Sequence, residues 1–256
     1  MIDRFGLGLK FEAFTRPLGY RLSQTIRRIA ALGPFDPEHQ AIIDRVQPYT
    51  MTSPERIAAT CHAIDHVTRY HIPGDFVECG VWRGGSTMAA ALSYLRAGER
   101  LPKLHLFDTF EGMTKPTDVD RRCTDGQRAA TLLAKSSKRS ALRAYSPIDE
   151  VRKNVVGTGY PADLIVFVKG QVEDTIPSMA PTEIAVLRLD TDWYESTKHE
   201  LEYLFPRLSQ GGVLIIDDYG HWEGAKKAVD EYFLSHKNPI LLNRTDHTGR
   251  IGIKIS

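Results

Sequence analysis

The sequence predicts an α/β fold with a mostly parallel sheet and helices on both faces, and two observations support this. From Gly74 onward, runs of apolar and β-branched residues alternate with helix-like segments. Such alternation is typical of a parallel sheet covered by helices. The chain has 256 residues, of which 42% are hydrophobic and 25% are charged. This length and composition suit one large domain of the predicted class with an added segment.

Seven strands are predicted, and the first five are short apolar runs that end at polar turns. These five are 75–79, 104–107, 164–168, 184–189 and 213–216. Helices are predicted at 86–97, with Ser86 as N-cap, at 196–208, closed by the glycine pair 211–212, and at 224–235. Two closing strands, 239–242 and 251–255, are expected to pair antiparallel across a turn near residues 247–249.

Two regions interrupt the alternation of strands and helices. Residues 1–73 are predicted to be a helical N-terminal extension, and residues 74–256 the sheet-containing domain. The first 28 residues hold six Lys and Arg against two Asp and Glu. They suit a solvated helix face or a self-association arm better than a membrane-surface helix, so we expect a homo-oligomer.

Residues 113–148, here called the insertion, separate the second and third predicted strands. Two interpretations of the insertion are equally favoured: a mobile solvated loop, and a lid over the ligand site. As a lid, its charge would suit an acceptor with acidic groups. Asp118 and Asp120 are expected to be surface charges. Its eight basic residues are Lys115, Arg121, Arg122, Arg128, Lys135, Lys138, Arg139 and Arg143.

Charge and cysteine content exclude several classes of protein. The net charge of +1 gives no argument for a nucleic acid partner. Three widely spaced cysteines form neither a disulfide framework nor a zinc pattern. No long apolar segment predicts a membrane span or a secretion signal, so we expect a cytoplasmic protein.

Two acidic clusters carry the main functional prediction. Asp190-Thr191-Asp192 directly follows the fourth predicted strand, and Asp217-Asp218 directly follows the fifth. Because open α/β folds bind ligands at the carboxyl ends of their strands, these carboxylates are expected in one crevice. Crowded carboxylates repel each other unless a proton or a cation lies among them. We therefore predict a divalent metal site with oxygen ligands, best suited to Mg²⁺.

A glycine-rich turn, residues 80–85, joins the first strand to its helix. Its spacing matches neither the dinucleotide fingerprint nor a P-loop. The amides of a helix N-terminus favour a carboxylate, whereas Glu78, two residues before the first glycine, suits an ammonium group. Asp108, at the end of the second strand, could bind two ribose hydroxyls. S-Adenosylmethionine carries these groups and is the predicted cofactor, although a purely structural tight turn would also explain the glycines.

These motifs resemble the macrocin O-methyltransferase family over roughly residues 50–235. The resemblance is carried by 73–85, 107–112, 187–194 and 211–219. It implies a Rossmann-like class I methyltransferase fold and S-adenosylmethionine-dependent methylation of a sugar hydroxyl on a natural product. The partner would then be a small-molecule glycoside acceptor, whose pocket is shaped by the regions that match only loosely.

The resemblance also implies roles for individual residues. Mg²⁺ would be held by Asp190, Asp217 and Asp218. Asp192 is then the candidate general base, with metal ligation as its alternative, and Asp190 is included in the catalytic set. Thr50 and Met51 lie where the family folds a loop over the cofactor. The full predicted cofactor-binding set is Thr50, Met51, Glu78, Gly80, Trp82, Arg83, Gly84, Ser86, Asp108, Gln171, Val172, Glu173 and Asp190.

Three other functions remain open at this point. A haloacid-type phosphatase uses an Asp-x-Asp pair with Mg²⁺, but its pair follows the first strand. A glycosyltransferase also uses Asp-x-Asp, yet neither enzyme explains Glu78 and Asp108. A non-catalytic binding protein of the same fold would tolerate loss of the aspartates, all of which are present.

Overall fold

The computed structural model describes residues 35–99, 101–137, 140–236 and 240–255. Predictions for the first 34 residues, including the basic arm, therefore lie outside the described residues. The chain divides into two compact units, Met1–Pro37 and Glu38–Ser256. The sheet lies in the second unit, and the boundary at residue 74 stays a prediction.

A seven-stranded sheet forms the centre of the described residues and confirms the predicted α/β class. Its order is β3-β2-β1-β4-β5-β7-β6. Strands β1 to β5 are parallel, and β7 is antiparallel to both β5 and β6. The strands are β1 Asp75–Cys79, β2 Leu104–Asp108, β3 Ile165–Lys169, β4 Ile184–Leu189, β5 Leu208–Ile216, β6 Asn243–Arg244 and β7 Arg250–Ile253.

Eight α-helices occur among the described residues. They are α1 Pro37–Val46, α2 Pro54–Arg69, α3 Gly85–Ala97, α4 Ala129–Lys135, α5 Ile148–Val156, α6 Val172–Thr175, α7 Tyr194–Leu204 and α8 Glu223–Ser235. Helix α2 packs against α3, and α7 packs against α8. None of the described helices has the length and apolar character needed to cross a membrane.

The strand order brings the predicted site together. Strand β1 lies between β2 and β4, so the direction of strand succession reverses beside it, which is where such folds bind ligands. Cys79, Leu189 and Ile216 are aligned across β1, β4 and β5. The amide of Asp190 donates to the carbonyl of Cys79 at 2.8 Å, and that of Asp217 donates to Leu189 at 2.9 Å. Each aspartate therefore directly follows the last residue of its strand.

Two predictions of local structure are wrong. The glycine pair 211–212 does not close a helix; α7 ends at Leu204, and both glycines lie inside β5. Gly211 has φ +79, and the register of β4 against β5 shifts beside it, so the pair forms an irregularity in the strand. Ser86 is not an N-cap, because Gly84 in the left-handed conformation caps α3 and Ser86 is buried in its first turn.

The closing strands pair antiparallel as predicted, but the earlier one lies later in the chain than 239–242. It is the short β6, and β7 follows it after a turn. In this turn the Asp246 carboxylate accepts the amides of Thr248 at 2.8 Å and Gly249 at 2.7 Å. An aspartate that binds amides two and three residues later stabilises such a turn locally.

Candidate active site

A single cavity of about 590 Å³ lies at the carboxyl ends of the strands and is of the size typical for small-molecule sites. It brings together fourteen of the sixteen predicted site residues. These are Thr50, Met51, Glu78, Gly80, Trp82, Ser86, Asp108, Gln171, Val172, Glu173, Asp190, Asp192, Asp217 and Asp218. The predicted cofactor turn and the predicted metal cluster therefore face one space.

Arg83 and Gly84 do not line this cavity. Arg83 instead pairs with Glu150 at 2.7 Å and donates to the carbonyl of Pro48 at 2.8 Å. Its guanidinium also lies 5.3 Å from the centre of the Tyr49 ring. Arg83 thus ties α5 and the segment before α2 to the glycine turn. A direct cofactor contact for it and for Gly84 stays a prediction.

The glycines of the turn permit close backbone packing. Gly80 has φ +81, and a Cβ there would lie 2.0 Å from the carbonyl oxygen of Asp190. A Cβ on Gly85 would lie 2.6 Å from the Cβ of Thr50. Neither position therefore has room for a side chain. The end of β4 occupies the space beside Gly80, and the loop before α2 occupies the space beside Gly85.

Asp108 holds the glycine turn in place. One carboxylate oxygen accepts the amides of Val81 at 2.6 Å and Trp82 at 3.1 Å. The other accepts the amide of Phe110 at 2.7 Å. Burial raises the pKa of Asp108, and these amides oppose the rise. The predicted ribose ligand is therefore also the residue that joins the ends of β1 and β2.

Glu78 is buried and meets a buried arginine that the sequence reasoning missed. One of its oxygens accepts from Arg188 at 2.9 Å, and the other accepts from the hydroxyl of Thr87. Burial raises the pKa of Glu78 to about 7 despite the opposing charge of Arg188. An ammonium group beside this carboxylate would favour its ionised form.

Arg188 connects the two predicted sites. Its side chain is 1% exposed, and besides Glu78 it pairs with Asp190 at 2.7 Å and with Asp217. It also donates to the hydroxyl of Thr52 at 3.2 Å. Burial alone would lower the pKa of Arg188, but the three carboxylates outweigh it and hold the guanidinium charged. The only sequence signal was an arginine two residues before Asp190, on the same face of a buried strand.

The carboxylates of Asp190, Asp217 and Asp218 lie close enough to share one ion, with ligand atoms within 4.8 Å of one another. Asp217 accepts from both Arg188 and Arg56. Asp218 is buried, and its Oδ2 has no hydrogen-bond partner among the described residues. Burial and the neighbouring carboxylates raise the pKa of Asp218 far above its usual range. A proton or a cation among these carboxyl groups would relieve their mutual repulsion.

Asp192 borders this group of three, and its carboxyl group hydrogen-bonds to that of Asp218. It adopts φ +69, a left-handed conformation that is strained for a residue other than glycine. Its Oδ1 accepts from the indole Nε1 of Trp222 at 2.6 Å. Burial and the charge of Asp190 raise its pKa. A carboxylate with a raised pKa, directed by an indole, can accept a proton near neutral pH.

The insertion forms part of the cavity wall. Met113, Arg122 and Leu142 line the cavity, and Ala129 packs with the Trp193–Trp222 pair, whose rings lie 5.0 Å apart. The prediction that Asp120 is a surface charge is wrong, because Asp120 is 0% exposed. Its burial escaped notice because its partner, Tyr194, lies 74 residues further along the chain.

The basic residues of the insertion mostly bind the insertion itself. Arg122 pairs with Asp125 at 2.5 Å, and Arg128 pairs with Asp118 at 3.3 Å. Arg143 donates to the carbonyl of Leu133 at 2.7 Å. Lys138 and Arg139 lie outside the described residues. These contacts give the insertion's charge a structural role and weaken the argument for an acidic acceptor.

Glu200 is a second buried carboxyl group that sequence reasoning missed. It lies on α7 and accepts from the hydroxyl of Thr191 at 2.9 Å, between the two candidate catalytic aspartates. Burial raises its pKa well above the usual range, which favours the neutral form. Through this hydrogen bond Glu200 supports the loop of residues 190–193, here called the catalytic loop, although Glu200 does not line the cavity.

The chain is similar in sequence to known O-methyltransferases. The family model of Macrocin-O-methyltransferase (TylF) matches residues 31–251. The chain is 34% identical over 184 residues to a tetracenomycin-C 4′-O-methyltransferase of Streptomyces olivaceus, covering 72% of this chain and 67% of that protein. It is 32% identical to the mycinamicin III 3″-O-methyltransferase of Micromonospora griseorubida, covering 72% and 70%.

Solved structures share the fold. The O-methyltransferase NovP superimposes with a TM-score of 0.69 at 32% identity, over 81% of this chain and 83% of that one. The calicheamicin methyltransferase CalS11 covers 99% of both chains with a TM-score of 0.61 at 19% identity, which shows the fold alone. The chain therefore belongs to the macrocin O-methyltransferase (TylF) family and is an S-adenosylmethionine-dependent O-methyltransferase.

Proposed function

We propose that this enzyme methylates a sugar hydroxyl of a glycosylated natural product and that it requires Mg²⁺. The observation that carries the proposal is the single cavity that joins the Glu78 turn to the aspartate cluster. The relatives support the acceptor class. One acts on a dimethoxyrhamnosyl tetracenomycin, and another acts on mycinamicin III at a 3″ oxygen.

The donor set fits Mg²⁺. Asp190, Asp217 and Asp218 offer only oxygen atoms, which this hard cation prefers. The unpartnered Oδ2 of Asp218 supports the assignment, because a buried carboxylate oxygen without a donor is costly. Both oxygens of Asp217 accept from arginines, but a carboxylate has about four lone-pair sites and can also bind a cation.

Charge in the cavity supports a dication as well. Five carboxyl groups meet two guanidinium groups among the described residues of this cluster, so the arginines cannot balance the negative charge when all five ionise. The carboxyl groups belong to Glu78, Asp190, Asp192, Asp217 and Asp218, and the guanidinium groups to Arg56 and Arg188.

The two bound groups would supply the reactive chemistry: a methyl group on a sulfonium sulfur, and a cation that lowers the pKa of a coordinated hydroxyl. The protein aligns the acceptor oxygen and removes its proton. As a C–O bond forms and the C–S bond breaks, Asp192 accepts the hydroxyl proton, and a methyl ether and S-adenosylhomocysteine result. Asp192 suits the role of base because Trp222, rather than an arginine, directs its carboxylate.

We further propose that the acceptor presents a vicinal diol, because two adjacent hydroxyl groups can chelate one cation. The experiment is to compare methyl transfer to paired glycosides that differ only in the neighbouring hydroxyl. We expect the deoxy acceptor to react at least ten times more slowly. Equal rates would contradict chelation but leave the sugar acceptor in place.

Metal dependence has its own test. Treatment with a chelator should abolish methyl transfer, and added Mg²⁺ should restore it. S-Adenosylhomocysteine should still raise the melting temperature of chelator-treated protein, since the glycine turn does not need the ion. Full activity after chelation would show that the aspartates serve another purpose.

A further inference from the structure

We infer that Asp120 is a positioning residue, which fixes the catalytic loop through the starts of two helices and holds the insertion as a permanent cavity wall. The inference rests on the proposed role of Asp192 as the base. It gives a buried carboxylate of the insertion a function in catalysis, although the side chain of Asp120 does not line the cavity.

The Asp120 carboxylate uses its two oxygens in opposite directions. Oδ2 accepts the amide of Thr117 at 2.6 Å and the hydroxyl of Thr117 at 2.8 Å, both within the insertion. Oδ1 accepts the amide of Tyr194 at 2.8 Å. Tyr194 is the first residue of α7, so this contact satisfies an amide that the helix leaves unpaired. A negative charge at this end of the helix is also favourable.

The start of α8 lies against the same oxygen. A Cβ added to Gly224, the second residue of α8, would lie 1.9 Å from Oδ1 of Asp120. Gly224 has an ordinary helical conformation, so the backbone does not require glycine there. The absence of a side chain is explained by the space that the Asp120 carboxylate needs.

These two helix starts are the elements that hold the proposed base. Asp192 and Trp193 immediately precede α7, and Trp222 immediately precedes α8 and donates to Asp192. Asp192 stays in its left-handed conformation only while the surrounding contacts require it. A carboxylate wedged between both helix starts therefore sets the distance between Trp222 and Asp192.

Backbone contacts show that the insertion is anchored at the same place. Cys123 donates to the carbonyl of His221 at 2.8 Å, and Glu223 donates to that of Arg121 at 2.8 Å. Trp193 donates its indole N–H to the carbonyl of Thr114 at 3.2 Å. This part of the insertion is a fixed wall that adjoins the start of α8.

Two substitutions disturb the contact from opposite sides. Asp120→Asn turns one acceptor into a donor, which would face the amide of either Thr117 or Tyr194. Gly224→Ala leaves the carboxylate intact but forces it away, and alanine is otherwise the better helix former. The matched control is Asp118→Asn. It removes the same charge from a residue two positions earlier in the chain, whose side chain is 87% exposed.

The readouts separate positioning from general stability. In Asp120→Asn and Gly224→Ala we expect kcat to fall at least tenfold, since a misplacement of about 1 Å can cost about 100-fold. The KM for S-adenosylmethionine should change less than about twofold, because Glu78 and its turn are untouched. The double variant should lose little more than the single ones, since both remove one contact. Mycinamicin III and a rhamnoside serve as acceptors.

A spectroscopic signature completes the test. The near-ultraviolet circular dichroism of the Trp193–Trp222 pair should change in both variants and not in Asp118→Asn. If Asp120→Asn fails to fold, Gly224→Ala and Thr117→Val, which removes only the hydroxyl donor, carry the same expectation. Wild-type kcat with an unchanged tryptophan signal in the folded variants would overturn the inference. A wild-type enzyme that methylates no glycoside would instead count against the proposed function, and the tryptophan signal would still test Asp120.

Discussion

The carboxylates on the two sides of the cavity differ in how completely protein hydrogen-bond donors satisfy them. On the turn side, which comprises Glu78 and Asp108, each carboxylate oxygen accepts from a protein donor. On the aspartate side, which comprises residues 190, 192, 217 and 218, Arg56 and Arg188 bind only Asp190 and Asp217, and Asp192 accepts from the Trp222 indole. Oδ2 of Asp218 accepts from none of the described groups. Both sides are buried at the ends of neighbouring strands, so location does not explain the difference.

The difference indicates which side is complete on folding. The turn side has its hydrogen bonds in place, so its carboxylates maintain the shape of the proposed cofactor site. On the aspartate side the carboxyl groups repel one another, and a bound cation would relieve this repulsion. Such an arrangement would favour ion binding at the expense of stability. Substitutions on the two sides should therefore have opposite consequences for stability and for activity.

The largest expected effect is that of Asp218→Asn. Methyl transfer should fall at least 100-fold, while the free energy of unfolding of metal-free protein should change by less than about 1 kcal/mol, because the strongly raised pKa of Asp218 already keeps this carboxyl group neutral there. Steady-state assays and urea unfolding measure the two quantities. Asp163→Asn, an exposed site, is the control. A strong loss of stability in Asp218→Asn would contradict the comparison.

Next is Glu78→Gln, which changes the charge but little of the shape on the turn side. Affinity for S-adenosylhomocysteine should fall roughly 10- to 100-fold, because the ammonium group loses its anionic partner. Calorimetric titration measures this, with Glu111→Gln as a control, since Glu111 is exposed and pairs with Lys169 on the surface. Unchanged affinity would remove Glu78 from the cofactor site.

Asp108→Asn should act mainly on stability. It exchanges an acceptor for a donor beside the amides of Val81, Trp82 and Phe110, and an unpaired buried amide costs about 1 to 3 kcal/mol. Urea unfolding without ligand should show this loss. If stability is unchanged and only cofactor affinity falls, Asp108 acts as a ribose ligand and does not hold the turn.

The smallest effect concerns Asp246. It tests whether the hydrogen-bond donors of a buried carboxylate affect stability more than its location near the aspartate side does. Asp246 neighbours the aspartate side but accepts from Ser53 and two amides and pairs with Arg56 at 2.9 Å. Although burial opposes it, these donors lower the pKa of Asp246 to about 2. Its stabilising contribution is therefore present above pH 3.8 and lost as pH falls towards 2. Asp246→Asn should reduce stability at pH 7, and its difference from wild type should shrink by pH 3.

Sequence patterns predicted the ends of the five parallel strands to within about one residue, because each ends in a visible change of chemistry. The bounds of β1 match the prediction, and β2 ends at Asp108 as expected. The glycine pair 211–212 was misread because a helix terminus and a strand irregularity place glycine in the same left-handed conformation. Local sequence cannot distinguish the two.

The site was predicted in part for a similar reason. The aspartates follow apolar runs, so their convergence follows from the sheet order. Arg56 and Arg188 were missed because an arginine is expected to be solvated, and only the three-dimensional arrangement shows which carboxylates bury it. Asp120 was missed because the segment around it has the composition of a surface loop.

The insertion also separates two tasks along its length, with a consequence for redesign. Its early part carries Asp120, is anchored next to the start of α8 and places Met113 and Arg122 in the cavity wall, whereas its later part lines the cavity with Ala141, Leu142 and Ala144 from a short 3₁₀ turn. Exchanging residues 140–144 with those of a relative should therefore retune which sugar or aglycone is admitted, while the reacting geometry is inherited unaltered.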